Sequence, residues 1–339
     1  MEKVLIGMSG GVDSAVSAYL LKKQGYDVSG ATLVLHDCVK DEVENAKKIC
    51  DVLGIKHHVF EFKQKFEEIV IKNFIDSYIS AKTPNPCIIC NENIKFGTLL
   101  EKAAELGFDK LATGHYAVIE QEGGLLRLKK GKDLQKDQSY VLYRLGQEQL
   151  SRVLFPLGNL TKQEVRAIAK EAALPCAEKA ESQENCFIEG EYTDFLLKKL
   201  LPSQVAPGDI YDVNGKNMGR KHKGLIYYTI GQRSGLGLTT EKPVYVIKID
   251  PRNNALIVGV KNEIYSKEAE IEDIKWSAGE PPHYPFEAYV KIRRMHKPAK
   301  AIVYEDKVVF DEPQGSVTPG QSAVFYQNDI TVIGGGFIR

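Results

Sequence analysis

The residues best suited to chemistry lie near the start of the chain, in the stretch Ser9–Ser14. This stretch follows a short apolar run, Val4–Ile6, and precedes a helix-like pattern over Ala15–Gln24. A glycine-rich turn between a strand and a helix exposes backbone N–H groups at the positive end of the helix dipole. The sequence therefore predicts a loop for phosphate or pyrophosphate. Asp13 within it predicts either a magnesium ion beside the phosphates or a cap for the helix.

This loop differs from two common phosphate-binding patterns. The phosphate loop of kinases and GTPases ends in Gly-Lys-Ser/Thr, whereas the first lysine after this loop is Lys22. The dinucleotide pattern G-x-G-x-x-G does not fit the loop either. The loop instead resembles that of the ATP pyrophosphatase family, whose members adenylate a substrate and release pyrophosphate.

A second group of reactive residues comprises Cys87 and Cys90, at C-x-x-C spacing, and Cys186. Two thiols at this spacing can share a metal, form a redox disulfide or give one thiolate of low pKa. A structural zinc site is not supported, because there is no second C-x-x-C and the seven histidines are scattered. Three cysteines can hold three corners of a four-iron cluster and leave one iron open for a sulfide. Cys50 follows the apolar pattern of a helix and is expected in the core.

Length and composition limit the classes of protein to consider. The 339 residues predict two or three domains, and 43% hydrophobic with 27% charged residues is typical of a soluble globular protein. The net charge is zero, so a nucleic-acid surface must be a local basic patch. We find no signal peptide and no apolar run of roughly 18 residues, the length of a membrane span. We therefore expect a cytoplasmic protein without membrane association, whose cysteines do not form stable disulfides.

The first half of the chain alternates strand-like runs with helical patterns. The strands are predicted at Val4–Met8, Val28–Leu35, His57–Phe62 and Leu111–Thr113, and the helices between them at Asp41–Leu53, Phe66–Ala81 and Ile94–Leu106. This alternation predicts an α/β domain with a parallel sheet. Ligands bind such sheets at the carboxyl ends of the strands. The phosphate loop and Gly114–Tyr116 are therefore expected at one edge.

The second half has a different character. The capping box Thr161–Glu164 opens a further helix, which Pro175 ends. From about Pro202, short β-like runs recur between turn residues, from Tyr245–Ile249 to Ile330–Ile333. This spacing predicts small antiparallel barrels.

Six short motifs are spread over nearly the whole chain. They are Ser9–Ser14, Asn85-Pro86-x-x-x-Cys90-Asn91, Thr113–Tyr116, Lys136–Tyr140, Ser182-Gln183-x-x-Cys186-Phe187 and Tyr228–Arg233. Each motif is weak alone, but together and in this order they resemble the MnmA family of tRNA-specific 2-thiouridylases. The resemblance implies ATP-dependent replacement of oxygen by sulfur at the 2-position of the wobble uridine in certain tRNAs.

The resemblance, with the patterns above, predicts three domains. An ATP-pyrophosphatase-type catalytic domain with a parallel sheet is expected over residues 1–200. A small central linker domain is expected over 201–262. A C-terminal antiparallel β-barrel that contacts RNA is expected over 263–339.

The family's functional positions can be matched to this sequence. ATP-binding positions match Gly7, Met8, Ser9, Gly10, Gly11, Val12, Asp13, Ser14, Leu33 (against adenine) and Gly114. The loop that contacts the target base matches Asn85, Pro86 and Cys87. Contacts with tRNA match His115, Lys136, Asp137, Gln138, Arg293, Arg294 and Gln321, although the family often has Arg-Tyr at the Arg293-Arg294 position.

Two cysteines are implied to carry sulfur. Cys90 matches the family's nucleophile, and Cys186 matches the cysteine that receives a persulfide. A uracil 2-oxygen is a poor leaving group until ATP adenylates it. A relay through the two cysteines would then deliver sulfur and leave a Cys90–Cys186 disulfide to be reduced.

The sequence departs from the family at Cys87, where many members carry the aspartate of Asn-Pro-Asp. A cysteine cannot take over the acid–base role of that aspartate, and the change creates the C-x-x-C pair. Our hypothesis is that Cys87, Cys90 and Cys186 ligate a 4Fe–4S cluster whose free iron carries hydrosulfide; the persulfide relay is the alternative. The sulfur donor would be free sulfide in the first case and a persulfide carrier protein in the second.

Basic runs indicate where RNA would bind. Arg220–Lys223 lies next to Tyr227 and Tyr228, and Lys291–Lys297 is a second run. Phosphate contacts supply affinity, and an unstacked base can stack on aromatic rings.

Two other functions remain open: a ligase with the same loop, and a redox-responsive RNA-binding protein without catalysis. Pyrophosphate release stimulated by tRNA would exclude the pure binder.

Overall fold

The computed structural model describes residues 1–37, 40–179 and 185–339. Within them, a five-stranded parallel sheet forms the centre of the first domain, with strand order β3-β2-β1-β4-β7. Its strands are β1 Lys3–Gly7, β2 Asp27–Val34, β3 Lys56–Glu61, β4 Lys110–Ala112 and β7 Val153–Leu154. The four predicted strands and the parallel sheet are confirmed.

Helices cover both faces of this sheet because apolar residues alternate sides along β1. Val4 and Ile6 pack in one apolar cluster, and Leu5 packs in another on the opposite face. The α-helices are α1 Val12–Lys23, α2 Lys40–Leu53, α3 Lys63–Phe66, α4 Lys72–Ile79, α5 Pro86–Cys90, α6 Leu99–Glu105, α7 Gln147–Ser151, α8 Lys162–Glu171 and α9 Tyr192–Lys199. Segments of π-helix join α3 to α4 at Glu67–Ile71 and α5 to α6 at Asn91–Thr98.

The central part of the chain forms a small four-stranded sheet. Its strands are β8 Gly208–Asp212, β9 Asn217–His222, β10 Tyr245–Asp250 and β11 Ala255–Gly259, in the order β10-β11-β8-β9. The pairing of β8 with β11 is parallel, whereas the other two are antiparallel. This sheet is therefore mixed, in contrast to the antiparallel arrangement that the turn spacing predicts.

The C-terminal part forms a closed antiparallel barrel, as predicted. Its strands are β12 Tyr265–Trp276, β13 Phe286–Lys291, β14 Ala299–Val303, β15 Lys307–Gly315, β16 Ser322–Gln327 and β17 Thr331–Ile338. The long strand β12 closes the barrel by pairing with both β15 and β17. Sequence patterns missed β12 because many of its exposed positions are charged.

A hairpin of the first domain extends the barrel sheet. It consists of β5 Ala117–Glu122 and β6 Leu125–Lys130, and β6 pairs with β17. The boundaries at residues 200 and 262 stay predictions. None of the helices among the described residues has the length and apolar character of a membrane span.

Candidate active site

The predicted phosphate loop is the turn between the end of β1 at Gly7 and the start of α1 at Val12. Gly10 has a φ of +68°, and a Cβ atom there would lie 2.8 Å from the Asn45 Cβ of α2. Glycine is therefore required by both conformation and space. Gly11 is the N-cap of α1. The turn presents the N-terminus of α1 at the sheet edge, which suits a polyphosphate.

Asp13 does not cap the helix, and its carboxylate is paired with groups of the protein. Both of its carboxylate oxygens accept from the Lys162 ammonium, at 2.7 and 2.8 Å. The Tyr116 hydroxyl donates to the same carboxylate at 2.7 Å. The cap prediction for Asp13 is thus wrong, because Gly11 occupies that position. Lys162, the first residue of α8 and only 9% exposed, is a site residue that the sequence did not indicate.

The end of β4 lies against the phosphate loop, as the parallel sheet predicts. A Cβ atom on Gly114 would lie 2.9 Å from the Asp13 carbonyl carbon and 3.0 Å from the Ser14 nitrogen, so a larger residue would displace the loop. Leu33 lies near the end of β2, partly buried against the apolar core. The ATP contacts predicted for these residues stay predictions.

His115 is buried beside this edge rather than exposed. Its Nδ1 lies 2.7 Å from the Thr113 Oγ1, and its ring packs against Phe96 and Phe155, each at 5.8 Å. Burial lowers the pKa of His115 well below its ordinary value, and the Lys95 ammonium lowers it further. The ring is therefore neutral near pH 7. The predicted contact of His115 with tRNA stays a prediction.

The C-x-x-C pair lies on a short helix whose start is encoded locally. The side-chain oxygen of Asn85 accepts from the Cys87 backbone N–H at 3.2 Å, and Pro86 takes the first helical position. Cys87 and Cys90, three residues apart, share one face of α5. Cys87 is exposed, whereas Cys90 is buried with 7% exposure.

An apolar cluster brings Cys186 towards Cys90. Phe187, the next residue, packs on the rings of Phe66 and Phe74 at 5.6 and 5.4 Å. Cys90 belongs to the same cluster of buried side chains. The structure therefore places the two predicted sulfur-carrying cysteines in one site, although they are far apart in the sequence.

The environment of the thiols opposes their ionisation. Burial raises the pKa of Cys90 to about 12, and it also raises the pKa of Cys186, although this side chain reaches the surface. The Lys95 ammonium lowers both pKa values. Both cysteines are free thiols. The Ser182–Glu184 part of the predicted motif lies outside the described residues.

The three-thiolate site of the cluster hypothesis stays a prediction. Among the described residues, no group of three histidine, cysteine, aspartate or glutamate side chains is arranged to hold a metal. Cys87, Cys90 and Cys186 influence one another electrostatically but do not form such a group.

All three parts of the chain meet at the segment that precedes Asn85. The Thr83 backbone N–H donates to the Pro319 carbonyl of the barrel at 2.8 Å, and the Gln321 side chain donates to the Thr83 carbonyl at 2.7 Å. The Thr83 hydroxyl also lies 3.3 Å from that of Thr229, in the predicted Tyr228–Arg233 motif. Gln321, a predicted tRNA contact, thus ties the barrel to the segment before the predicted target-base loop.

The Lys136–Gln138 motif also makes contacts within the protein. The Asp137 carboxylate accepts from the backbone N–H and hydroxyl of Ser139 at 3.0 and 2.9 Å, and it is buried. The Gln138 side chain accepts from the Tyr116 backbone at 3.0 Å. Lys136 is partly buried. The contacts of these residues with tRNA stay predictions.

The two predicted basic patches differ in how much of them reaches solvent. Arg294 is exposed, and the Arg293 guanidinium donates to the Gly315 carbonyl at 3.3 Å. In the other patch, His222 and the adjacent Tyr228 are buried. The barrel patch therefore presents its arginines near the surface, whereas part of the central patch is structural.

Three family models match consecutive stretches of the chain. They are the tRNA methyl transferase HUP domain over residues 2–190, the tRNA methyl transferase PRC-barrel domain over 193–260 and the Aminomethyltransferase beta-barrel domain over 266–338. The first alone covers more than half of the chain.

Curated relatives match from end to end. The chain is 46% identical to the tRNA-specific 2-thiouridylase MnmA of Halothermothrix orenii, over 100% of this chain and 99% of the relative. It is 46% identical to the tRNA-specific 2-thiouridylase MnmA 2 of Thermoanaerobacter sp. strain X514, over 99% and 98%. It is 45% identical to the tRNA-specific 2-thiouridylase MnmA of Acetivibrio thermocellus, over 100% and 99%. The similarity is thus not confined to one domain.

Proposed function

The chain belongs to the tRNA-specific 2-thiouridylase family, and on this basis we propose that it uses ATP to replace the 2-oxygen of the wobble uridine in tRNA with sulfur. One observation carries the proposal. A phosphate loop follows β1 at the N-terminus of α1, and two free cysteines, Cys90 and Cys186, accompany it: Cys90 and Phe187, the residue after Cys186, pack in one cluster with Leu33 near the end of the neighbouring strand β2. The first suits activation by ATP, and the second suits delivery of sulfur.

The reaction divides into activation and substitution. The uracil 2-oxygen attacks the α-phosphorus of ATP, pyrophosphate leaves, and the oxygen carries AMP. A sulfur nucleophile then attacks carbon 2, the carbon–oxygen bond breaks, and AMP leaves with that oxygen. The phosphate loop would hold the phosphates, accompanied by Mg²⁺ as in most ATP sites. The target uridine must leave its stack to enter the site.

The descriptions of two matching family models name methyl transfer instead. Methyl transfer requires a methyl donor and needs neither an ATP-binding loop nor a pair of thiols. Cys90 and Cys186, together with the loop, therefore favour thiolation, in agreement with the names of the curated relatives.

A relay through two cysteines supplies the sulfur in our proposal. The Cys90 thiolate attacks the inner sulfur of a persulfide on Cys186, a Cys90–Cys186 disulfide forms, and the outer sulfur leaves as hydrosulfide. The two cysteines lose the two electrons that reduce the outer sulfur, and hydrosulfide then attacks carbon 2. A persulfide carrier protein would load Cys186, and an external thiol would reduce the disulfide for the next turnover. The high pKa of Cys90 means that a base or a nearby positive charge must favour its thiolate.

The 4Fe–4S cluster on Cys87, Cys90 and Cys186 remains the competing route for sulfur. Among the described residues, no three side chains are arranged to hold a metal ion, and we derive no step through a cluster. Iron and acid-labile sulfide per chain after anaerobic purification decide between the routes, with Cys87→Ala as the control. The relay predicts no iron even after reconstitution, and it predicts activity in Cys87→Ser but not in Cys90→Ser or Cys186→Ser. About four irons and four sulfides, lost in Cys87→Ala, would contradict the relay.

Pyrophosphate release and nucleoside analysis test the function itself. With ATP, Mg²⁺, tRNA and a sulfur donor, we expect pyrophosphate release that depends on tRNA, and 2-thiouridine at the wobble position. Gly114→Val should abolish both because a side chain there collides with the phosphate loop. Cys90→Ser should lose 2-thiouridine but retain pyrophosphate release. A protein that binds tRNA without releasing pyrophosphate would instead be a pure RNA binder.

A further inference from the structure

Lys95 lies on the helix that follows the cysteine pair. It belongs to none of the sequence motifs and has no role in the relay described above. It belongs to the π-helical segment Asn91–Thr98, which begins directly after Cys90. In this segment the turn is wider than in an α-helix, and the Leu99 backbone N–H donates to the Ile94 carbonyl, five residues back. Lys95 follows Cys90 by the same five residues. The wide turn therefore returns Lys95 to the face of the helix that carries Cys90.

The neighbours of Lys95 place it between the two halves of the site. Ile94 is fully buried in the apolar cluster that also contains Phe187, next to the second cysteine. Phe96 packs on the ring of His115 at 5.8 Å, at the edge of the parallel sheet. The Lys95 backbone thus lies between the segment of the persulfide cysteine and the sheet edge that carries the phosphate loop.

The charge of Lys95 acts on the thiols, and no described carboxylate neutralises it. It lowers the pKa of both Cys90 and Cys186. Lys95 is half-buried, and it has no carboxylate partner within the part of the chain that the structure describes. One helical turn earlier, the Asn91 side-chain oxygen is buried without a hydrogen-bond partner among the described residues. A cation beside two thiols, with no counter-ion among residues 1–37, 40–179 and 185–339, is suited to hold a small anion, because screening is weak where water is partly excluded.

We propose that Lys95 binds the anionic sulfur that passes between Cys186 and Cys90, whether as the terminal sulfur of a persulfide or as hydrosulfide. The ammonium forms no covalent bond and exchanges no electron. It holds the sulfur by charge until carbon 2 is attacked. This role depends on the proposed thiolation, but the positive potential at the cysteines can be measured without it.

Alkylation of Cys186 measures that potential directly. Iodoacetate is an anion and iodoacetamide is neutral, and both react with the same thiolate. We divide the rate of iodoacetate at Cys186 by the rate of iodoacetamide, both followed by mass spectrometry. The fraction of ionised thiol cancels in this ratio, so the ratio reports the local charge. We expect the ratio to fall about threefold or more in Lys95→Met, and to be retained in Lys95→Arg.

A matched control separates this effect from a general loss of charge. Lys102 lies on the same helical run but is only partly buried, and its ammonium pairs with the Glu105 carboxylate at 2.8 Å. Lys102→Met should leave the alkylation ratio unchanged. An unchanged ratio in Lys95→Met would overturn the proposal, and Lys95→Gln provides the same test if the methionine variant does not fold.

Steady-state thiolation distinguishes the two sources of sulfur. With free sulfide as the donor, Lys95→Met should raise the KM for sulfide and leave tRNA-dependent pyrophosphate release unchanged. With a persulfide donor, it should lower kcat for thiolation and again spare pyrophosphate release. Normal kinetics with both donors would overturn the role in sulfur binding. If the wild-type protein makes no 2-thiouridine from either donor, the proposed function fails, whereas the alkylation ratio still tests the charge.

Discussion

At the scale of single residues, the phosphate loop obtains positive charge from distant parts of the chain. The loop lacks the lysine of the kinase-type motif. Lys162 approaches it from α8 and binds the Asp13 carboxylate, and Lys179 donates to the Gly10 carbonyl at 3.2 Å. Two ammonium groups therefore lie where the charge of bound phosphates would need compensation. Lys162 is the more buried of the two lysines, and its ammonium donates to both carboxylate oxygens of Asp13 in the loop.

Replacement of Lys162 should weaken the use of ATP. In Lys162→Met the Asp13 carboxylate keeps its charge without a counter-ion, and it would repel the phosphates of ATP. We expect the KM for ATP in tRNA-dependent pyrophosphate release to rise about tenfold or more. Lys170→Met, on the exposed surface of the same helix, is the matched control and should behave like the wild type.

A double variant shows how Lys162 acts. If its only task is to neutralise Asp13, Lys162→Met combined with Asp13→Asn should restore most of the affinity for ATP. If the ammonium itself contacts the phosphates, the double variant should remain as weak as the single one. A normal KM in Lys162→Met would contradict any role for Lys162 in the use of ATP.

At the scale of helices and strands, the sequence predicted those elements whose formation depends on residues close together in the chain. Apolar runs predicted β1 to β4, and the capping box predicted α8, whose Thr161 side chain accepts from the Glu164 N–H. The helix of the cysteines was predicted to begin at Ile94 but begins at Pro86. Its first turn carries thiols and a proline, so it lacks the apolar periodicity on which the prediction relied. The cap residue Asn85 and the proline after it were the signal that could have located its start.

The composition of the site was predictable, but its geometry was not. The motifs indicated the phosphate loop, Cys90 and Cys186, because these residue types have characteristic chemistry. The contacts that position them join distant segments: Lys162 is 149 residues from Asp13, and Gln321 is 238 residues from Thr83. Such pairs depend on how whole domains pack, which a single sequence does not encode in any local pattern. Lys95 escaped notice for a related reason, since only the π-helical turn brings it to the face of the thiols.

At the scale of the whole molecule, the catalytic domain and the barrel share a buried polar interface. The Tyr140 hydroxyl donates to the Ser322 carbonyl at 2.9 Å and accepts from the Ser322 backbone N–H at 3.2 Å. Close by, the hydroxyls of Ser139 and Tyr326 lie 3.1 Å apart. Tyr140 and Ser322 are both fully buried. The tyrosine thus pairs with both backbone groups of Ser322, the first residue of β16.

The loss of this one hydroxyl should destabilise both domains together. Tyr140→Phe removes the hydrogen bonds of the buried Ser322 N–H and carbonyl to this hydroxyl, and we expect it to lower the free energy of unfolding by about 1–3 kcal/mol. In urea unfolding the midpoint should fall with little change in the slope, because the surface exposed on unfolding is the same. Tyr265→Phe is the control: this barrel tyrosine is 47% exposed, so its substitution should have little effect.

A barrel that unfolds in a separate, earlier transition in the wild type would show that the interface does not couple the domains. A single transition that moves only in Tyr140→Phe would show that it does, so that the barrel is part of the support that holds Thr83 and the predicted target-base loop after it.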